Sequence, residues 1–372
     1  MAQPEVNAES PLPDQLAFFN TLSEGYQRAL NATDLVERQY LIAGYRVALR
    51  CAGPALLAPV TPAIEHLRTE IQAAPDLVIN LFDAQSTATP LPFLMDFFMQ
   101  RVRAKWWEYL GSRRELKGLD GDRVRCAFHP GPDILSVLDH DTNEALYWVE
   151  DASKIPYYET GYPLTVILNW WLAKRERQFV HAACIGTQAG SVLLTGKGGS
   201  GKSTTTLACL NSGLKLSGDD YCAIDTQSMT AHSLYNTIKL KGLADVDRFD
   251  HLRHCVDNLD QVEDTEDGER AVIYLQQHFP EQLMSQSPLR AILVPRIVDQ
   301  VETTITPTSA GAAFKALMPS TLFQLPGDAR DAFKATAHLT RKTPSFEIAL
   351  GSDIEAIPGV IASFLREMEK DA

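Results

Sequence analysis

The sequence has no Cys-x-x-Cys pair; its six cysteines stand apart at positions 51, 126, 184, 209, 222 and 255. That spacing supplies neither a zinc ligand set nor a disulfide framework, and suits reduced thiols in a cytoplasmic protein. An excess of positive charge is also missing. Lys and Arg number 34 against 47 Asp and Glu, a net charge of −13. Phosphate polyanions are repelled by such a balance, so neither nucleic acid nor a membrane surface is an expected partner. No apolar run is long and uninterrupted enough to span a bilayer. The opening residues Met1 to Glu9 carry neither the basic start nor the apolar core of a signal peptide, so none is expected. There is no internal repeat and no low-complexity segment. His129 and His140 have no partner at metal-ligand spacing and read as turn or surface residues.

What is present is enough apolar character, 45% of 372 residues, for a sizeable core and two domains. Residues 1–12 are polar and read as a loose tail. Asp14 to Leu30 places Leu16, Phe18, Phe19, Leu22 and Tyr26 close to one helical face. Tyr40 to Leu49 reads as one strand, Pro54 to Ile71 as a helical region, and Leu77 to Phe82 as a strand. The aromatic segment Leu91 to Leu110 is helix-compatible, with Trp106-Trp107 expected to pack in a core or interface. Three short alternating runs, Arg123 to His129, Ile134 to Leu138 and Ala145 to Glu150, are separated by turn residues and predict an antiparallel meander. Residues 13–158 therefore read as a mixed α+β domain, and 159–372 as a second, α/β domain.

The second domain is organised around Ser191 to Leu210. Ser191 to Thr195 is a short apolar strand, Gly196 to Ser203 fits G-x-x-x-x-G-K-[ST], and Thr204 to Leu210 is helix-compatible. Strand, glycine loop, helix is the order that a phosphate-binding loop requires. Gly196, Gly198, Gly199 and Gly201 let backbone N–H groups face phosphate oxygens, with Lys197, Ser200 and Thr204 completing the cradle. Lys202 is expected on the β- and γ-phosphates of ATP, and the Ser203 hydroxyl on Mg²⁺. A hairpin, Gln178 to Ile185 with Gly190 to Thr195, precedes the loop, and a helix of about three turns follows it. Gly213 to Tyr221 then reads as a strand ending in the paired carboxylates Asp219 and Asp220. One carboxylate of such a pair is suited to Mg²⁺ and the other to accepting the proton of an attacking hydroxyl.

His181, the loop Gly196 to Ser203, and Gly213 followed by Asp219-Asp220 resemble the catalytic domain of HPr serine kinase/phosphorylase and its relatives. That group shares its nucleotide fold with ATP-dependent phosphoenolpyruvate carboxykinase. The resemblance spans roughly residues 160 to 365. It implies an α/β P-loop domain that transfers the γ-phosphoryl of ATP to a hydroxyl. His181 is then near the γ-phosphate, and Asp219 and Asp220 share the metal and base roles in either order; Ser203, from the loop, and Asp219 are the candidate metal ligands. Thr204 stands where the regulatory enzyme carries Glu, so a dedicated kinase is expected, acting on an unidentified hydroxyl of a protein, peptide or small molecule. Self-association into a homo-oligomer is compatible with this reading.

Two other readings stay open at this stage. Lys197-Gly-Gly-Ser-Gly-Lys-Ser also fits the deviant Walker A loop of dimerising switch ATPases, in which the first lysine reaches a partner's nucleotide. A non-catalytic nucleotide-gated interaction module is the other, although a binding module needs no base. A GTPase is disfavoured because no Asn-Lys-x-Asp segment is present. Lys239 and Lys241 lie in a stretch that either lines the acceptor side or is a solvated strand. Arg270, Arg290 and Arg296 are given no role, and the acidic stretch Asp257 to Arg270 reads as a solvated loop.

Overall fold

The computed structural model describes residues 14–71, 73–210, 212–262, 270–324 and 328–370. The tail expected over 1–12, and residues 263–269 of the acidic stretch, lie outside them. The chain divides into two compact units. The first holds the described residues up to Glu37, Leu49–Leu56 and Leu77–Ser153; the second holds Arg38–Ala48, Leu57–Asp76 and the described residues from Lys154 onward. The sequence reading divided the chain once, at 158/159. Here the changeover falls at Ser153/Lys154, and two early segments join the second unit.

Helix α1 (Gln15–Ala32) starts at Asp14, whose side chain accepts from the Ala17 N–H. That cap satisfies one of the free donors of the first turn. The helix buries Phe18, Phe19, Leu22, Tyr26 and Ala29, a spacing of three and four that keeps them on one face. The single strand expected over Tyr40–Leu49 is instead a hairpin of β1 (Leu35–Ile42) and β2 (Tyr45–Ala52). Its two-residue turn is Ala43-Gly44, both at positive φ (51° and 88°), the backbone that a tight hairpin requires. Strand β3 (Leu77–Asp83), helix α2 (Phe93–Ala104) and the strands β4 (Val124–His129), β5 (Ile134–Asp139) and β6 (Glu144–Val149) follow. The meander forms as read, β4–β5 and β5–β6 both antiparallel, in a six-stranded sheet ordered β1-β2-β3-β6-β5-β4. Its core gathers Phe18, Leu22, Phe82, Phe128 and Trp148. Trp106 and Trp107 do not join it. They lie on the short helix Trp106–Tyr109 at 50% and 59% exposure, so of the expected core or interface packing the core alternative does not hold.

In the second unit helix α3 (Thr165–Ala173) precedes β7 (Arg177–Thr187) and β8 (Gly190–Thr195), which pair as the expected antiparallel hairpin. After the glycine loop come α4 (Lys202–Ala208), β9 (Lys215–Gly218), β10 (Tyr221–Asp225), β11 (Thr230–Ser233), β12 (Thr237–Leu240), β13 (Ala271–Tyr274), β14 (Gln286–Ile297) and β15 (Thr304–Pro307). Helices α5 (Ala310–Gln324) and α6 (Ala329–Lys342), strand β16 (Ser345–Leu350) and helix α7 (Ile357–Lys370) close the chain. The main sheet runs β11-β10-β7-β8-β14-β16-β15, with β9 also paired to β7. Strands β8, β14 and β16 are parallel to one another, so their C-terminal ends share an edge.

Alternation along β7 and β8 sends Ala183, Ile185, Val192 and Leu194 to one face and Val180, Ala182, Cys184 and Leu193 to the other. The first face packs with Leu207 of α4 and Ile361 and Leu365 of α7, the second with Leu317 of α5 and Leu339 of α6. This is the layered arrangement of an α/β protein. Gly186 marks a close approach within the hairpin, since a Cβ there would run into the Gly190 carbonyl and the Ser191 backbone. Backbone cannot yield as a side-chain tip can. Gly186→Ala is therefore expected to cost about 1–3 kcal/mol, read as a lowered Tm for the unit that carries the loop. Among the described residues no helix is long and apolar enough to cross a membrane, and all six cysteines are buried and outside any disulfide.

Candidate functional site

The glycine loop follows the C-terminal end of β8, a buried strand of the sheet interior. Gly196, Gly199 and Gly201 take φ of 146°, 80° and 101°, a region that side chains with a Cβ rarely enter. Gly198 and Gly199 face open space, whereas a Cβ on Gly201 would lie 2.5 Å from Leu350 Cδ1. The glycines thus serve two ends, an uncovered stretch of backbone and a tight seat against β16. Helix α4 has two turns rather than the three expected. It stops where the Cys209 N–H turns to the Thr205, Thr206 and Leu207 carbonyls, followed by Gly213 at φ 87°.

Lys202 is buried, 6% exposed, and its Nζ donates to the Gly196 carbonyl at 2.8 Å. Ser203 and Thr204 are half-buried and Ser200 is half-buried with an Oγ that closes no hydrogen bond. Lys197 is exposed on the rim of the loop.

Sheet register explains why Asp219 and Asp220 stand beside this loop. Gly218 of β9 pairs with Cys184 and Tyr221 of β10 with His181. The two aspartates therefore fall opposite Ala183 and Ala182, in a gap between two short strands rather than at the end of one. On its other side Ala182 pairs with Thr195, the last residue before the loop. At one strand spacing per step, the carboxylates start about 10 Å from the loop's first residue. A Cβ on Gly218 would meet the Tyr221 carbonyl at 2.7 Å, so a side chain there would obstruct the gap.

The two carboxylates have opposite surroundings. Asp219 is 2% exposed, and neither oxygen accepts a hydrogen bond. Ser203, Thr206 and the Lys202 ammonium are close enough to favour its charge, but the Thr206 hydroxyl donates to the Lys202 carbonyl instead. Burial first, and then the charge of Asp220, hold the Asp219 carboxyl well above the usual carboxylate range. Asp220 is well supplied. Tyr162 Oη donates to Oδ2 at 2.7 Å, and His181 Nε2 lies 3.4 Å from Oδ1. Burial alone would raise the Asp220 pKa, but His181, Tyr162 and the Lys239 charge outweigh it and hold it below the usual range.

Of the residues singled out in the sequence, Lys202, Ser203, Asp219, Asp220 and His181 come together, whereas Lys197 stays on the rim. The Lys239 ammonium sits 3.9 Å over the Tyr162 ring, while Lys241 is exposed. Arg290 bonds the Ala189 carbonyl at the hairpin turn, and Arg296 pairs with Glu347 at 2.8 Å. A cavity of about 510 Å³ opens at the C-terminal ends of β14 and β16, lined by Arg296, Ile297, Asp299, Thr304, Thr306 and Glu347 among others. Ile297 also flanks Gly201, so cavity and loop are neighbours.

A second polar cluster, not foreseen, joins His66 to Ser233 (Nε2 to Oγ, 2.7 Å) and to Asn236 (Nδ1 to Nδ2, 3.3 Å). It has the composition of a nucleophile–base–orienter triad but the wrong polarity. The Asn236 amide donates to the Pro62 carbonyl and to Nδ1, which leaves the His66 proton on Nε2, facing the serine. A base must accept there, not donate. Burial lowers the His66 pKa to about 3 and keeps it neutral, and the cluster ties the segment around Pro62 and His66 to Ser233 and Asn236.

The donor set at the loop fits a magnesium ion. Asp219 and Ser203 offer hard oxygen atoms, two of them on a buried carboxylate with no other hydrogen-bond partner. Among the described residues no group of three or more His, Cys, Asp or Glu forms a metal cage. Magnesium usually needs none, because one or two carboxylates and the phosphates of its nucleotide suffice.

No family model matches the sequence, and neither does any curated protein. Among solved structures, the chain matches the Hpr(Ser) kinase/phosphatase from Coxiella burnetii. The match has 12% identity over 52% of this chain and 97% of that one, with a TM-score of 0.28. That is a distant likeness in fold.

Proposed function

We propose that this protein is an ATP-dependent phosphotransferase of the HPr-kinase-like type, which moves the γ-phosphoryl group to a hydroxyl of a protein, peptide or small molecule. The observation that carries the reading is the asymmetric carboxylate pair beside a lysine-bearing glycine loop. Asp219 has two buried oxygens without hydrogen bonds next to Ser203 and Lys202, and Asp220 is held by His181 and Tyr162. A nucleotide-binding module without chemistry has no use for a second, separately oriented carboxylate.

In this reading the loop N–H groups and Lys202 hold the β- and γ-phosphates, and the cavity beside Gly201 takes the nucleoside end. Asp219 and Ser203 hold Mg²⁺, which when bound neutralises phosphate charge. Asp220 accepts the acceptor's hydroxyl proton as its oxygen bonds to the γ-phosphorus. The bond from that phosphorus to the β–γ bridging oxygen breaks, and its electron pair leaves with ADP. His181 steadies Asp220 and adds a polar ring close to the reacting oxygens.

The test is transfer from [γ-³²P]ATP by the full-length protein with Mg²⁺ and fractionated lysate of its host, beside Lys202→Met. A labelled acceptor formed by the wild type alone is the expected result. Release of free phosphate with no labelled acceptor in any fraction would replace the kinase with a switch ATPase. ATP bound but never broken would leave only an interaction module.

A further inference from the structure

We propose that Tyr162 is a positioning residue for Asp220, holding its carboxylate in the one orientation that serves transfer; the proposal rests on the phosphotransfer reading above. Tyr162 lies 58 positions from Asp220 in sequence, in the connection between the short helix Tyr157–Thr160 and α3. Its hydroxyl makes the shorter of the two contacts to Asp220, 2.7 Å against 3.4 Å for His181. With only the longer contact, the carboxylate is free to turn about its side-chain torsions. A phenol bonded to the other oxygen removes that freedom, and hydrogen bonds to an ionised acceptor are among the strongest available.

The phenol is itself fixed from every side. Its ring meets Tyr221 edge-on at 4.8 Å and Tyr235 at 5.4 Å, and the Lys239 ammonium caps it at 3.9 Å. Tyr235 Oη donates to the Pro163 carbonyl at 2.9 Å, and Thr165 Oγ1 donates to the Tyr162 carbonyl at 2.6 Å. Lys239 is held in turn by the Tyr158 carbonyl at 2.8 Å. Gly161 lets the lysine pass, since a Cβ there would lie 2.7 Å from Lys239 Cε.

The same turn contains Leu164 at φ 59°, a left-handed conformation rare for a bulky residue. Such strain persists where the surroundings over-determine the backbone, and it clusters at functional sites. Burial, followed by the charges of Asp220 and Asp219, keeps the phenol protonated and therefore a donor.

The experiment uses the full-length protein in excess over [γ-³²P]ATP with Mg²⁺, and water as the acceptor. Water oxygen bonds to the γ-phosphorus, its proton passes to Asp220, and ADP departs with the electron pair of the broken bond. Tyr162→Phe is expected to slow this single turnover about tenfold to a hundredfold while the half-saturating protein concentration stays within about twofold. In parallel, the ¹³Cζ resonance of Tyr162 is expected to move when Asp220→Asn is introduced, a readout that survives if Tyr162→Phe does not fold. A Phe variant that turns over at the wild-type rate, or whose defect disappears at high protein concentration, overturns the positioning role alone. So does a Tyr162 resonance that ignores Asp220→Asn. A wild-type protein that binds ATP and breaks it neither with water nor with any lysate fraction as acceptor fails the phosphotransfer reading and takes the positioning role with it.

Discussion

Lys202→Met is expected to weaken ATP binding at least about a hundredfold and to leave the nucleotide-free protein as stable as the wild type or more so. The two halves of that result have one cause. Lys202 is 6% exposed, and its ammonium donates to the carbonyl of Gly196, the first residue of its own loop. Burying an ammonium carries a desolvation cost that a single carbonyl offsets only in part. Methionine keeps most of the volume and removes the charge, and such replacements of buried ions are often neutral or stabilising. In the proposed reading, ATP would let the ammonium exchange that carbonyl for phosphate oxygens, a far better partner. Isothermal titration with ATP, beside a thermal melt without it, checks both halves. Unchanged ATP affinity in Lys202→Met would remove the loop from the nucleotide site. A collapsed melt without nucleotide would assign Lys202 to the core instead.

The glycine loop was legible because the backbone itself demands it. Positive φ at Gly196, Gly199 and Gly201 leaves few residue choices, and a strand before and a helix after follow from composition. The hairpin β7–β8 and the meander β4–β5–β6 were legible for a similar reason, since alternation and turn residues are local signals. Two other readings, both of composition alone, went astray. The run Tyr40–Leu49 has strand composition throughout, and Gly44 was too weak a signal to split it; the turn at Ala43-Gly44 did. Trp106 and Trp107 have the composition of a core and stand exposed, because apolar character does not say which side of a short helix faces inward.

At the site, Asp219 and Asp220 were visible as a pair but not their unlike surroundings. Asp219 acquires its deprivation from burial next to α4, and Asp220 its partners from β7 and the connection before α3. Tyr162 and His66 gave no local signal at all. Each meets its partner only after strands far apart in sequence have paired, as His66 and Ser233 do across 167 positions. A tyrosine among eleven carries no mark of which carboxylate it will meet.

Asp219→Asn is expected to raise the Tm of the nucleotide-free protein while abolishing any stabilisation that Mg²⁺ adds to ATP. The Asp219 carboxyl is buried, accepts no hydrogen bond, and has its pKa raised by burial and by Asp220. A group whose pKa is higher folded than unfolded binds its proton more tightly in the folded state. Its contribution to stability is complete below the unfolded pKa and is lost as pH rises through the folded one. Asp220 has the opposite shift, so its contribution is present above the ordinary carboxylate range and is lost only on strong acidification. Between the ordinary carboxylate range and neutrality Asp220 is therefore silent, while His66 and His232, whose pKa values burial lowers, make stability rise with pH. The share of Asp219, read as the difference between the wild type and Asp219→Asn, slopes the other way and falls toward neutral pH. Asparagine cannot ionise and removes that slope. Its amide also supplies donors to the nearby Ser203 and Thr206 oxygens, so the gain near neutral pH is about 1–3 kcal/mol, or several degrees in Tm. With ATP present, the order reverses. In the proposed reading the wild-type carboxylate would give up its proton and hold a magnesium ion, and binding would restore the stability that it lacked. Melts of both proteins across this pH range, with and without Mg²⁺ and ATP, check the whole argument. If Asp219→Asn melts below the wild type without nucleotide, the carboxylate has a structural partner after all. If Mg²⁺ still adds stability to the ATP-bound variant, the metal is held elsewhere.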